Sequence, residues 1–138
     1  MRSTAAVFFI VFIMVCSACS DTELASMDQL ARGAQLYEKY CANCHQKDGS
    51  GLASLMPPLK NSDYLKANKK SLPCIIHKGI SGNIIVNNKM FNLAMPANKS
   101  LSNQEIANIA TYVYQKFLDE THYFTDSLIW VEMKECGK

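Results

Sequence analysis

The sequence lacks the features that would assign it to several large functional classes. It contains no glycine-rich phosphate loop of the P-loop or Rossmann type, so nothing in it indicates a nucleotide site. Its formal net charge is only +2 over 138 residues, which is too small to indicate nucleic-acid binding by itself. It also has no internal repeat and no low-complexity segment, and its length fits one domain.

The apolar run near the N-terminus is too short to span a membrane. Ala5 to Val15 gives 11 apolar residues, which is typical of a signal sequence. The Cys-Ser-Ala-Cys that follows ends at Cys19 and resembles a bacterial lipobox, whose last Cys is diacylated and becomes the mature N-terminus. We therefore expect 1–18 to be a lipoprotein signal peptide and Cys19 to anchor the chain on the periplasmic side of a bacterial membrane. Ordinary cleavage near Ala18 is the alternative, because the usual Leu three positions before the Cys is absent.

One short motif carries chemistry, namely Cys41-Ala42-Asn43-Cys44-His45. This C-x-x-C-H pattern is typical of c-type haem attachment. Two thiols on one helical turn reach both vinyl groups of haem and form two thioether bonds, and the adjacent His45 binds the iron from the proximal side. Without the His, the pair would also suit a thioredoxin-like redox site or half of a zinc site. Downstream of the signal segment no second C-x-x-C follows, so haem attachment is favoured.

Two later segments offer groups that would complete an iron site. Pro57 has a free carbonyl, which we expect to accept a hydrogen bond from Nδ1–H of His45 and so to fix the ring orientation. Met95 is the candidate for the sixth ligand, because Pro96 stiffens its loop and its other neighbours are small. It also lies 50 residues beyond His45, far enough for the chain to wrap the haem and return. His77 is the alternative ligand.

The first and last helices of the domain are predicted from local signals. Residues 19–27 are polar and predict a tether, after which Asp28 begins a helix that runs into the haem motif. Ser102 and Glu105 form an S-x-x-E capping box. It predicts a helix over 103–118 with one apolar face.

Shorter elements are predicted between and after these helices. A capped helix is expected over 63–68, and another over 73–79 between a Pro and a Gly. The β-prone residues around Asn87-Asn88 predict a small hairpin. Residues 28–138 then form the domain, with 119–138 as a C-terminal extension. We expect an amphipathic helix in that extension, with Trp130 packed on the domain.

Two of the six cysteines remain once Cys16 is assigned to the signal peptide and the lipid and haem sites are assigned. Cys74 and Cys136 form an even pair in an exported chain, where disulfides persist, so a disulfide is predicted. It would close a loop of about 60 residues and stabilise the fold by ~4 kcal/mol in the chain-entropy model. The alternative is two unpaired thiols.

The order of these motifs over about 28–117 resembles the class I, monohaem c-type cytochromes. The matching pieces are Gly33-x-x-x-Tyr37-x-x-x-Cys41, Pro57-Pro58-Leu59, Ser62-Asp63-Tyr64-Leu65, Met95-Pro96-Ala97 and Ile109-x-x-Tyr112. The resemblance implies an all-α cytochrome c fold whose first and last helices cross around one covalent haem c, with a short hairpin before the Met loop. It also implies that the ring of Tyr112 lies on the bare Cα of Gly33, with Tyr37 beside it.

The resemblance implies a one-electron carrier of a respiratory chain and no enzymatic activity. Iron held by His45 and Met95 has no open position, which suits electron transfer. The expected partners are a membrane oxidase, a nitrite reductase or a quinol-oxidising complex, reached by a lipid-anchored protein. The alternatives are a haem peroxidase or a gas-sensing haem protein whose Met ligand is displaced.

Positive charge is concentrated in the middle of the chain. Residues 49–104 hold seven lysines and one acidic residue. In the resembling fold this stretch rings much of the haem, so the lysines are candidates for steering an acidic partner. The alternative is a set of ordinary solvated side chains. The seven are Lys60, Lys66, Lys69, Lys70, Lys78, Lys89 and Lys99.

Overall fold

The computed structural model describes residues 21–136, so the signal segment and Cys19 lie outside the described residues. Six helices and one hairpin occur in this range, which confirms the predicted all-α class with a short hairpin. The helices are α1 (Asp21–Tyr40), α2 (Ala42–His45), α3 (Asp63–Ala67), α4 (Leu72–Lys78), α5 (Asn103–Leu118) and α6 (Asp126–Glu135), with a 3-10 turn at Lys69–Ser71 before α4. The strands are β1 (Ile84–Val86) and β2 (Lys89–Phe91). None of the described helices is long and apolar enough to cross a bilayer.

The first helix begins seven residues earlier than predicted. The sequence suggested a tether over 19–27 and a helix from Asp28, whereas α1 already starts at Asp21. Residues 21–27 are polar enough to suggest a linker, but they include the helix formers Glu, Leu, Ala and Met. The prediction of the helix start was wrong.

Helix α1 packs against α5 at Gly33. A Cβ on this residue would run into the backbone carbonyl of Asn108 and would lie 2.8 Å from Cβ of Tyr112. The ring of Tyr112 stacks beside that of Tyr37 at a centroid distance of 5.4 Å. The backbone of α5, more than the expected aromatic ring, therefore excludes a side chain at Gly33.

The short elements follow their predicted signals. Ser62 caps α3 by accepting from the Leu65 amide, and Gly79 ends α4 with a φ of 74°. The hairpin pairs Ile84 with Phe91, and its turn residues Asn87 and Asn88 both have positive φ. Both halves of the Ser102–Glu105 capping box are present at the start of α5, and the helix ends at Leu118 as predicted.

The C-terminal extension is part of the core. Phe124 and Ile129 are completely buried, and the Phe124 amide donates to Oγ1 of Thr111 at 3.0 Å. Gln29 of α1 donates to the Phe124 carbonyl at 2.6 Å and to the Thr111 hydroxyl at 3.2 Å. This three-residue network joins α1, α5 and the segment before α6.

The expected packing of Trp130 was wrong. Its side chain is 52% exposed, and Lys134 Nζ lies 3.5 Å from the centre of its ring. Ile129 supplies the buried contact of α6 instead, with Leu128 and Met133 half-buried beside it. Trp130 was expected to pack on the domain, but the rotation of the helix places its neighbour Ile129 there.

Candidate functional site

A deep cleft lies on one side of the α1–α5 contact. It holds about 920 Å³ of space when the open solvent at its mouth is included. Its walls are almost entirely apolar and include Ile76 of α4, Val86 of β1 and Val113 of α5. A cleft with such apolar walls suits a hydrophobic group.

The two motif thiols enter this cleft from the end of α1. The Cys41 amide donates to the Tyr37 carbonyl at 2.8 Å, which carries the helical path of α1 into the motif. Cys41 and Cys44 both line the cleft and are not bonded to each other. Burial, and to a lesser degree the nearby Cys44 thiol, raises the pKa of Cys41 to about 12. Because neither sulfur is in a disulfide and both residues line the cleft, both sulfurs are available for bonding to a group within it.

His45 is held with one ring nitrogen free. Its Nδ1 lies 3.0 Å from the Pro57 carbonyl oxygen, the partner expected from the sequence. A carbonyl can only accept, so Nδ1 carries the proton and Nε2 keeps its lone pair. Burial lowers the pKa of His45, while the Pro57 contact opposes that shift. The neutral imidazole is the form that binds a metal ion.

Two further residues support this proximal side: Gly51, which the sequence arguments did not single out, and Tyr37, for which they gave no such role. A Cβ at Gly51 would lie 2.8 Å from the Pro57 carbonyl oxygen, so a side chain there would push the Pro segment away. The Tyr37 hydroxyl donates to the Gln46 carbonyl at 2.7 Å and holds the chain just after His45. Gly51 has a positive φ, and the turn-rich residues around it are the sequence signal that could have indicated this. The Tyr37 hydrogen bond depends on tertiary packing and has no such signal.

Met95 lines the same cleft as His45. Its amide donates to the Ile80 carbonyl at 2.9 Å, and the Ile80 amide donates back to the Met95 carbonyl at 3.1 Å. His77, the alternative ligand, is not among the residues that line the cleft. The structure therefore brings Met95, and not His77, to the cavity that contains the motif.

The donor set of the cleft fits a covalently attached haem. Two thiols stand ready for thioether bonds, and an imidazole nitrogen and a thioether sulfur are the two axial ligand types found in cytochromes c. The apolar walls would keep water from the ring. Leu93, Ala94 and Pro96 line the cleft and are also exposed, so they form part of its mouth.

The second cysteine pair lies outside the cleft. Cys74 of α4 and Cys136, which follows α6, are joined as a disulfide with their Cα atoms 5.7 Å apart. The lysines of the central stretch are dispersed. Lys69 pairs with Glu120, and Lys78 donates to the Cys136 carbonyl at 2.6 Å. Lys60, Lys66, Lys70 and Lys99 are exposed.

A family model matches most of the domain. The model described as "Cytochrome c" matches residues 30–116, well over half of the chain. This match includes the thiol pair, His45, Pro57 and Met95, together with the α1–α5 contact. The residues after 116, which include the C-terminal half of the disulfide, lie outside it.

Similar curated proteins are cytochromes from bacteria. The cytochrome c subunits of the quinone alcohol dehydrogenases of Gluconacetobacter polyoxogenes and Komagataeibacter europaeus are each 39% identical over 84 residues. That match covers 59% of this chain and 18% of each subunit, so the chain spans less than a fifth of their length. Cytochrome c-552 of Thermus thermophilus is 30% identical over 87 residues, which cover 60% of this chain and 66% of that protein.

Proposed function

This chain belongs to the cytochrome c family, and from that premise we propose that it is a one-electron carrier of a respiratory chain, delivering electrons to a terminal oxidase or reductase. Membership of the family implies a covalently attached haem c and haem-based electron transfer. When bound, haem c supplies the one-electron Fe(III)/Fe(II) couple. The observation that carries the proposal is the presence of Met95 in the same cleft as the C-x-x-C-H motif.

The residues of the cleft have distinct roles in this proposal. Cys41 and Cys44 would hold the haem by thioether bonds, and His45 and Met95 would bind its iron. Pro57 keeps the proton on Nδ1 of His45 and leaves Nε2 as the nitrogen that would bind the iron. The thioether of Met95 favours Fe(II) over Fe(III), and the apolar walls act in the same direction because burial disfavours the more charged state. A clearly positive midpoint potential follows.

The alternatives, a peroxidase or a gas sensor, require Met95 to leave the iron. Two backbone hydrogen bonds to Ile80 hold the Met95 segment against the chain that directly follows α4. This arrangement favours a closed iron site, which has no position for peroxide or a gas. The carrier is therefore the better supported function.

A redox titration of the holo-protein tests the proposal. We expect a single reversible one-electron transition at a positive potential. Met95→His replaces the thioether with an imidazole and is expected to lower the potential by tenths of a volt, within the ~0.8 V over which axial ligands tune haem. An unchanged potential in that variant would mean that Met95 is not a ligand.

The expected partner is a protein redox complex. A membrane oxidase, a nitrite reductase and a quinol-oxidising complex all fit a small carrier of this kind. The relatives that are subunits of quinone alcohol dehydrogenases support a partner that belongs to a larger complex. The exposed mouth formed by Leu93, Ala94 and Pro96 would face this partner, with exposed lysines steering the encounter.

We further propose export and a lipid anchor at Cys19. Helix α1 starts at Asp21, two residues after that Cys, so the anchor would join a helix instead of a tether. Leu24 and Met27 on this first part of α1 are 62% and 65% exposed, and would lie close to the lipid surface. Mass spectrometry of the mature protein is expected to find one haem and a diacylated Cys19. A mature chain that begins after Ala18 without lipid would overturn the anchor.

A further inference from the structure

We propose that the Cys74–Cys136 disulfide and helix α6 form a brace that keeps Met95 on the iron. Cys74 and Cys136 would thus be positioning residues that act through α4 on the axial ligand. This inference rests on the proposed function only in taking Met95 as that ligand. It assigns a role to a disulfide of which one cysteine, Cys136, lies outside the part of the chain that the family model matches.

The Met95 segment is attached to the C-terminal end of α4. Besides the paired hydrogen bonds between Ile80 and Met95, the Asn98 amide donates to the Ile76 carbonyl at 3.2 Å. Gly79 brings the two backbones together, because its φ is 74° and a Cβ there would run into the Met95 carbonyl. Any movement of this end of α4 would therefore carry Met95 with it.

The opposite side of α4 is attached to the C-terminal extension. Cys74 is bonded to Cys136, and one turn later Lys78 donates to the Cys136 carbonyl at 2.6 Å. Lys69, just before α4, pairs with Glu120 at the start of the extension. The extension therefore contacts Lys69, which precedes α4, and two residues of α4 itself, Cys74 and Lys78.

Helix α4 lies between the cleft and these attachments. Ile75 and Ile76, which follow Cys74 directly, line the cleft. The helix has only seven residues, and a helix this short is not stable without tertiary contacts. The position of α4 therefore depends on its tertiary contacts, which include those with the C-terminal extension.

The extension itself is fixed to the core. Phe124 and Ile129 are completely buried, and Gln29 and Thr111 bind the backbone of Phe124. A continuous set of contacts thus runs from the core through α6 and the disulfide to α4, and from there to Met95. Loss of the disulfide would leave α4 free to open locally without global unfolding.

The test compares ligand capture by the ferric holo-protein. Added imidazole binds the iron only after the Met95 sulfur has left, so its capture rate reports how often Met95 dissociates. We expect the double variant Cys74→Ser/Cys136→Ser to capture imidazole about tenfold faster, which corresponds to about 1.4 kcal/mol. Amide exchange at Ile80 and Met95 is expected to accelerate by a similar factor, because their mutual hydrogen bonds open in the same event.

Ser102→Ala is the matched control. It removes the N-cap hydroxyl of α5, whose hydrogen bonds are to Glu105 of the same cap and not to α4 or the extension. We expect it to lower the global stability while leaving the capture rate within twofold of the parent. Equal acceleration in both variants would overturn the brace, since Met95 would then respond only to overall stability.

The remaining outcomes separate the two proposals. An unchanged capture rate in the Cys double variant would overturn the brace while leaving the carrier function intact. If the parent protein shows no Met-to-Fe(III) charge-transfer band and binds imidazole at once, Met95 is not a ligand. That result would overturn the proposed function, and the brace with it.

Discussion

The two residues proposed as iron ligands are held in different ways. His45 ends a helical turn and has its ring fixed by the Pro57 carbonyl. Met95 lies in an irregular segment and is fixed through its backbone alone, by Ile80. Its thioether has free rotation about several bonds, and sulfur is only a weak hydrogen-bond acceptor. Met95 is therefore the ligand expected to leave first when the fold is disturbed.

Gly33 is the residue at which the two long helices come closest. We expect Gly33→Ala to destabilise the holo-protein by about 1–3 kcal/mol, because the new Cβ would overlap the Asn108 carbonyl, which belongs to a helix backbone and cannot rotate away. Denaturant unfolding measures this change. Ala31→Ser, on the exposed side of the same helix, should stay within about 0.5 kcal/mol.

A different outcome would disprove the close approach. Ala has a higher helix propensity than Gly by roughly 1 kcal/mol. If Gly33→Ala stabilised the protein by that amount, the helices would have room for a side chain at their crossing.

Among the elements, α5 depends most clearly on a local signal. Ser102 accepts from the Glu105 amide, and the Glu105 carboxylate accepts from the Ser102 amide at 2.8 Å. Both Ser102 contacts lower the pKa of Glu105 below its ordinary 4.5. The backbone amide of Ser102 has the larger effect and its hydroxyl the smaller. Their stabilisation is thus present above that value and is lost as the pH falls through the lowered pKa.

Ser102→Ala removes the hydroxyl of the cap. We expect it to cost about 1 kcal/mol at pH 7, since an N-cap hydroxyl contributes on that order. The difference from the parent should shrink as the pH is lowered below 4.5, because both proteins then lose the charged Glu105. Urea unfolding at a series of pH values measures it. If the difference in unfolding free energy between the variant and the parent grew as the pH was lowered, the capping arrangement would be contradicted.

The extension offers a comparison between two aromatic residues six positions apart. Phe124 is completely buried and Trp130 is 52% exposed. We expect Phe124→Ala to cost about 3–5 kcal/mol, as for other buried aromatic residues. Trp130→Ala should cost less than about 1 kcal/mol, and thermal unfolding of the holo-proteins distinguishes them. If the larger loss came from Trp130→Ala, α6 would be rotated relative to the orientation described above.

These elements also indicate what the sequence can and cannot predict. The capped helix, the Pro-to-Gly helix and the Asn-Asn hairpin were predictable because each depends on neighbouring residues. The start of α1 was missed since polarity was taken for lack of structure, although its residues have good helix propensity. The orientation of Trp130 and the Gln29–Thr111–Phe124 network were not predictable. They depend on how distant elements meet, which no local pattern records.

The same distinction applies to the site. The spacing of the motif and the Met-Pro pair pointed to residues that do line one cleft. The bonds that hold Met95 to Ile80 had no signal in the sequence, because they join two irregular segments.

For the whole molecule, the distribution of charge governs how a partner is met. The central stretch carries a net charge of +6, from seven lysines and one acidic residue, but Lys69 is paired with Glu120. We expect the rate of electron transfer to an acidic partner to fall by about tenfold between 10 mM and 200 mM salt, because the Debye length shortens from about 30 Å to less than 10 Å. Stopped-flow mixing measures this rate.

A charge-reversed pair provides the control. Lys66→Glu/Lys70→Glu changes two exposed lysines and should reduce both the rate at low salt and its dependence on salt. A rate that does not depend on salt in the parent would mean that these lysines are ordinary solvated side chains.

The central claim is that His45 and Met95 close the iron site. Exposure of the reduced holo-protein to carbon monoxide at neutral pH, followed by visible spectroscopy, tests it most directly, with Met95→Ala as the open control. We predict no spectral change in the parent within the time in which Met95→Ala binds carbon monoxide completely. Immediate binding by the parent would contradict the closed site and would favour a gas sensor or a peroxidase.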